Sequence, residues 1–195
     1  MRDLVEECEE IGYAKSLVDG LTAALADVDP TAPPGPIAAV PAGWVASPRD
    51  EVPNRLAAQE SVSFVRCART APGIAVAARF AAVRIGILRR LSEHVVEHLS
   101  ARTSGGEPII RKQLVQAPIV DAHTELEAAR RRLQVAGHVP AAVTDLHDRL
   151  TTVDWELARL LGASGFITDG GARASYVARL IATCWTPRTS RKAQA

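Results

Sequence analysis

Apolar residues return every three or four positions over most of the chain, and that spacing predicts helices. In residues 3 to 25, Leu4, Cys8, Ile11, Val18 and Leu21 keep this step with acids on the other face, which predicts one N-terminal helix. The pattern stops at residue 27. The stretch "DVDPTAPPGPIAAVPAGWVASPRDEVP" holds seven prolines, which deny the backbone both helix and regular ladder. It reads as an extended connector with one short strand, at Ile37–Val40 or at Gly43–Ala46. Residues 54 to 70 read as a short helix or strand-like lead-in that ends at Pro72–Gly73.

From residue 74 the helical period resumes. Helix one covers about 74 to 101, with Ile85, Leu88, Val95 and Leu99 on one face. Helix two covers about 107 to 136, with Ile110, Leu114, Ile119, Leu126 and Leu133, and Pro118 inside it predicts a kink or local break. Helix three opens at Pro140, which suits a first helical turn, and carries a seam of Val143, Leu146, Leu150, Val153, Leu157 and Leu160 up to Gly162 and Gly165. Helix four covers about 171 to 185, with Tyr176, Leu180, Ile181 and Cys184 inward, and stops before Pro187. The fold expected is all-α: an up-down four-helix bundle over 74–187, an N-terminal helix and Pro-rich connector over 1–73, and a disordered polar tail over 188–195. The aliphatic stripe of helix three predicts self-association into a dimer.

Composition narrows the class. With 195 residues and 47% hydrophobic content the chain can build one core, and 4% aromatics makes that core aliphatic. The net charge of +1 gives no support to nucleic-acid or membrane-surface binding. The longest apolar stretch, "GIAVAARFAAVRIGIL", is interrupted by Arg79 and Arg84, and the acidic start lacks the apolar region of a signal peptide. Three cysteines without a C-x-x-C fit reduced, buried thiols, Cys184 among them, and a cytoplasmic protein. Trp155 and Trp185 read as packing anchors, and Trp44 as a cover over the bundle.

Candidate chemistry is sparse. His94 and His98 stand at the i, i+4 spacing that can chelate a metal, beside Glu93 and Glu97, but no second Glu-x-x-His helix accompanies them, so no metal is assigned. Asp121 and His123 on helix two, with His147 and Asp148 on helix three, are the candidates for an acid–base cluster across the two helices.

One segment says more: "ARTSGGEPIIRKQLVQAPIVDAHTELEAAR", a Gly-rich turn behind an arginine, then a helix with two glutamines three apart. Together with "RLLGASGFITDGGARASYVARL" it resembles the C-terminal helical domain of the acyl-CoA dehydrogenase family. There a helix ends in an Arg-x-x-Phe-Gly turn, the next carries Gln-x-x-Gln and an acid, and a Gly-rich loop follows. Arg102, Gln113, Gln116 and Asp121 match these positions. Gly170–Gly171 and Tyr176 look closer to divergent members of secondary metabolism that act on carrier-bound acyl groups.

The resemblance implies FAD held across a subunit interface: Arg102 on the diphosphate, Gln113 and Gln116 toward the adenine side, and Gly162 and Gly165 for close backbone approach. It implies a flavin-linked oxidoreductase subunit acting on acyl-CoA or acyl carrier protein, as a homodimer or with a full-length family member. The residues also admit a plainer reading, in which Arg102 complements the helix dipole and the glycines end a helix. Three departures stand out. The turn's phenylalanine is Gly105. Residues 1–73 are too few for the family's N-terminal and β domains, and are remnants or replacements. The two places for the family's catalytic glutamate, near Val76–Ala77 and in "ATCWTPRTS", hold no carboxylate. Two alternatives therefore stand beside the first: a flavin-free bundle that cyclises or isomerises an acyl or polyketide intermediate, and a non-catalytic scaffold.

Overall fold

The computed structural model describes residues 2–45, 47–68, 70, 74–163 and 172–187. The expected polar tail beyond 187 lies outside them. Seven α-helices dominate: α1 (Arg2–Ala14), α2 (Leu17–Ala24), α3 (Arg55–Gln59), α4 (Ala75–Ser100), α5 (Gln113–Ala136), α6 (Pro140–Leu160) and α7 (Arg173–Trp185). None of the described helices is long and apolar enough to cross a membrane.

The mostly helical fold agrees with the sequence pattern, and α4 is its axis. Every residue from Val76 to Leu88 is buried, because α1, α2, α5, α6 and α7 all pack around this one helix. Arg79 and Arg84, which interrupt the apolar run, are buried too. Arg79 Nη1 donates to Ala26 O at 2.7 Å, and Arg84 Nη1 to His147 O at 2.9 Å, so both cations keep acceptors inside. On α6 the predicted seam holds over Val143, Leu146, Leu150, Val153 and Leu157, which are buried, while Leu160 at its end is half-buried, and Gly162 follows with φ +61.

Several expectations need correction. Residues 3 to 25 form two helices, because Ser16 and Asp19 make a capping box that starts α2. The connector holds more than one strand. β1 (Ile37–Pro41), β2 (Glu51–Val52) and β3 (Val62–Arg66) form an antiparallel sheet in the order β1-β3-β2, with Ile37 opposite Arg66 and Glu51 opposite Val65. Pro41 is tolerated because β1 is an edge strand. Gly43 and Trp44, from the alternative strand, lie in a 3-10 turn over Ala42–Trp44. Helix two starts later than expected, at Gln113, and runs through Pro118 without a break. Leu114 does not face the core; it is 91% exposed. On α7 the inward residues are Val177, Ala178, Ile181, Ala182 and Trp185, while Tyr176 is exposed and Leu180 and Cys184 are half-buried.

Trp185 is the anchor expected: its Nε1 donates to Ala39 O at 2.9 Å and ties α7 to the sheet. Trp155 is not; nearly half exposed, it stacks on Arg179. Trp44, on its 3-10 turn, is as exposed as Trp155. Of the thiols Cys8 is buried, and Cys67 and Cys184 are half-buried.

The first two helices belong to the same core as the bundle. α1 crosses α4 with the backbones in direct approach at Gly12 and Gly86; a Cβ on Gly86 would lie 2.1 Å from Glu9 O. Beside the crossing, the buried carboxylate of Glu9 accepts from Arg89 on α4 at 2.9 Å and from Arg130 on α5, which joins three helices.

Candidate nucleotide-binding corner and interior polar network

The Gly-rich turn is a two-residue β-hairpin. α4 ends at Ser100, and β4 (Thr103–Ser104) pairs with β5 (Glu107–Pro108) around Gly105 and Gly106, whose φ angles are +69 and +84. A tight hairpin loop with two left-handed residues demands glycine, which accounts for Gly105 where the family motif has phenylalanine. Arg102 closes the hairpin, its carbonyl accepting from Ile109 N at 2.8 Å.

This hairpin and the first turn of α5 gather the predicted contacts at one corner. Residues 101 to 107 are all exposed, as are Arg111, Lys112, Gln113 and Gln116. Arg102 Nη1 donates to His98 Nε2 at 3.1 Å, and Lys112 Nζ to Ser104 Oγ at 3.0 Å. Among the described residues, no carboxylate forms an ion pair with Arg102, Arg111 or Lys112, whereas Arg89, Arg130, Arg132, Arg149, Arg159, Arg173 and Arg179 each have one. The corner thus presents uncompensated cations beside two side-chain amides. That donor set suits phosphate oxygens and the edge of a base.

The other predicted residues go elsewhere. Gly162 is exposed at the end of α6, with open space around it, and Gly165 and Gly170–Gly171 lie outside the described residues. Val76 and Ala77, where the family motif places one glutamate, are buried and apolar. His94 and His98 have ring centroids 6.3 Å apart, with His98 engaged by Arg102. Among the described residues, no three His, Cys, Asp or Glu side chains are placed to share a metal ion.

The acid–base candidates of α5 and α6 do not converge. His123, on α5, lies 3.3 Å from Ser92 Oγ of α4. Asp121 lines a groove between α5 and α6, of about 400 Å³, with Pro118, Ala122, Glu125, Arg149, Thr152, Val153 and Glu156. Asp148 is exposed. His147 turns inward instead, donating from Nε2 to Ala77 O at 3.0 Å and accepting at Nδ1 from Arg84 Nη1 at 3.1 Å.

That interior is a polar network the periodicity does not reveal. Arg84 Nη2 donates to Thr151 Oγ1 at 3.0 Å. Nearby, Ser175 Oγ donates to Asp154 Oδ1 at 2.6 Å, and Arg179 stands 3.6 Å from Asp154 Oδ2, an atom with no hydrogen-bond partner. Burial raises the Asp154 carboxyl above its ordinary range, against the Ser175 hydrogen bond and the charges of Arg179 and Arg84. Arg179 is stacked between Trp155 and Tyr176, 4.3 and 5.1 Å from their ring centroids. The one sequence signal for this network is the pair of arginines inside an otherwise apolar helix.

The family model described as "Acyl-CoA dehydrogenase, C-terminal domain" matches residues 76–185. Comparison with curated proteins finds no match. Among solved structures, the ChsE4-ChsE5 complex from Mycobacterium tuberculosis superposes with a TM-score of 0.50 at 17% identity, over 63% of this chain and 40% of that one. The prolyl acyl carrier protein oxidase AnaB gives 0.52 at 14%, over 70% and 44%. A glutaryl-coenzyme A dehydrogenase in complex with glutaryl-CoA gives 0.53 at 18%, over 80% and 44%. These likenesses show the fold, and this chain spans less than half the length of each. With more than half of its residues matching that model, the chain belongs to the acyl-CoA dehydrogenase family, through the family's C-terminal helical domain.

Proposed function

We propose that the chain is a subunit of a flavin-linked oxidoreductase of the acyl-CoA dehydrogenase type, acting in the cytoplasm on an acyl thioester of CoA or of a carrier protein, in secondary metabolism. The observation that carries this reading is the exposed corner where Arg102, Arg111 and Lys112, which pair with no described carboxylate, stand next to Gln113 and Gln116. In this reading Arg102 and Lys112 hold the diphosphate of FAD, and Gln113 and Gln116 meet the adenine edge. Gly162 and Gly165 permit close backbone approach. FAD, when bound, supplies the acceptor for the electrons of the acyl chain.

The same corner defines what a partner must bring. In this reading its residues meet the phosphates and the adenine edge, and the flavin ring is covered from elsewhere. Val76 and Ala77 cannot take a proton from the acyl α-carbon, and a base must stand within hydrogen-bond reach of it. A full-length family member in a hetero-oligomer would supply both the ring's wall and the base. A multi-chain neighbour, the ChsE4-ChsE5 complex, and a neighbour that is an acyl carrier protein oxidase support this direction.

The test is the visible absorption spectrum, taken on the chain alone, after addition of FAD, and in complex with a co-expressed full-length family member. The expected result is a flavin spectrum in the complex that falls at least ~10-fold in flavin affinity with Arg102→Ala, the size of one lost charge-assisted contact. A complex that keeps its flavin equally well with Arg102→Ala sinks the assignment of this corner. Colourless protein in every preparation leaves the flavin-free bundle or the scaffold.

A further inference from the structure

We propose that Arg179, Trp155 and Tyr176 form a binding site for a monocarboxylate carried on an apolar or aryl group. Arg79, Arg84, Arg89, Arg90, Arg130 and Arg173 are buried or half-buried, and each donates at least one side-chain hydrogen bond. Arg179 is half-buried too, its side chain 15% exposed, and among the described residues it donates none. Its carboxylate neighbour, Asp154 Oδ2, stands at 3.6 Å, too far for a hydrogen bond. Withdrawing charged donors from water without giving them acceptors is costly, so the guanidinium is held ready for an acceptor from outside. It is also reachable. Asp154 Oδ2 and Thr186 Oγ1 are the described side-chain atoms that are sealed from solvent without a partner, so the nitrogens of Arg179 still touch solvent.

The surroundings decide the kind of acceptor. Trp155 of α6 and Tyr176, one turn before Arg179 on α7, stack on the guanidinium at 4.3 and 5.1 Å. They are 46% and 39% exposed, two of the three exposed aromatic side chains among the described residues, so the aromatic surface of a largely aliphatic protein gathers here. Rings stacked on a guanidinium cover its face and leave its N–H groups pointing outward in its plane. A planar carboxylate meets two of them edge-on. The exposed parts of the two rings then offer apolar surface to the group that carries it. Charge limits the ligand to one negative charge. A single cation stands at the mouth, with the Asp154 carboxyl behind it, whereas Arg84 is buried and committed to His147 and Thr151. A bound carboxylate therefore competes with Asp154 for one guanidinium. No residue of the Arg102 corner takes part, so the inference does not depend on the flavin reading.

Titration of the isotopically labelled full chain with benzoate, followed by NMR, tests it. Benzoate should move the Arg179 Nε–H and Trp155 Nε1–H resonances along one saturating curve. Arg179→Gln should weaken the binding read at Trp155 at least ~10-fold, the size of one lost charge-assisted contact. Arg179→Lys should weaken it as well, because an ammonium lacks the planar fork. Asp154→Asn keeps an acceptor for Ser175 Oγ and removes the competing charge, so it should tighten binding severalfold. Benzoate that leaves both resonances in place overturns the proposal. So does benzyl alcohol bound as tightly as benzoate, since the rings alone would then account for binding. Inorganic phosphate bound more tightly than benzoate overturns the choice of a monocarboxylate. An Asp154→Asn chain of unchanged or lower affinity overturns the competition for Arg179.

Discussion

Arg84 of α4 and His147 of α6 face each other in the bundle interior, with Nη1 of the one 3.1 Å from Nδ1 of the other. A guanidinium only donates, so His147 Nδ1 accepts and its proton sits on Nε2, which donates to Ala77 O. The ring is fixed in one neutral tautomer, and a second proton would set two buried cations against each other. Burial, and then the charge of Arg84, push the His147 pKa down to about 3.

The sign of the pH effect follows. In the unfolded chain His147 takes a proton near pH 6.5, but in the folded protein only near pH 3. Its contribution to stability is complete above pH 6.5 and is lost as pH falls through that value toward 3, at up to ~1.4 kcal/mol per pH unit. Urea unfolding should show the wild type losing ~2 kcal/mol more than His147→Gln between pH 6.5 and 5. Comparing the two slopes cancels Asp154, whose raised pKa acts in the opposite direction. Parallel pH profiles for the two proteins would show that the imidazole is charged in the folded state.

How far the sequence reaches depends on whether the information is local. The seam of α6 is legible because Val143, Leu146, Leu150, Val153 and Leu157 depend on one helix period. Leu114 is misplaced by the same logic: it stands four residues after Ile110, but Ile110 lies in a 3-10 turn, and the α-helical phase begins afresh at Gln113. Tyr176 is misplaced by one residue, since Val177, Ile181 and Trp185 form an inward row just as regular. The sheet depends on β1 finding β3 across a proline-rich stretch, and the buried arginines on acceptors at Ala26, His147 and Thr151, far along the chain. At the candidate site, the turn at Gly105–Gly106 is legible from its residues, but the strand pairing of Glu107–Pro108, read as the start of helix two, is not. That Arg102 would rest on His98, or that Asp121, His123 and His147 would face three different surroundings, is not.

The Glu9 clamp is a second quantity to measure. Its carboxylate is buried and accepts from two guanidiniums on different helices. Glu9→Gln removes the buried charge that Arg89 and Arg130 share, but both guanidiniums are partly exposed and keep Glu10 and Glu127 as partners, so the expected cost is ~1–3 kcal/mol, the range of a lost charge-assisted hydrogen bond. Exposed pairs such as Arg159–Glu156 should contribute well under ~1 kcal/mol. Chemical denaturation of Glu9→Gln and Glu156→Gln should separate the two by ~1 kcal/mol or more, with amide exchange in α1 quickened in the first and unchanged in the second. Equal losses would mean that Glu9 is solvated and does not hold α1 in place.

Two glycines should respond to alanine for different reasons. At Gly86 the backbone is ordinary helix, where alanine is favoured by up to ~1 kcal/mol. Its added Cβ, however, would lie 2.1 Å from Glu9 O and 2.6 Å from Tyr13 N, and both are backbone atoms that cannot rotate away. α1 must then move off α4, giving up part of the densest contact in the molecule, and a net loss of ~2–3 kcal/mol is expected from overpacking of this kind. At Gly105 nothing stands within 4 Å of the added Cβ, but φ is +69, so the cost is conformational, ~1–2 kcal/mol, and confined to the hairpin. Thermal unfolding gives both losses, and hydrogen exchange locates them. Gly86→Ala should loosen α1 and leave the hairpin unchanged, and Gly105→Ala the reverse. If Gly86→Ala is instead neutral or stabilising, the α1–α4 backbones do not approach as closely as Gly12 and Gly86 allow, and the docking of α1 on the bundle is wrong.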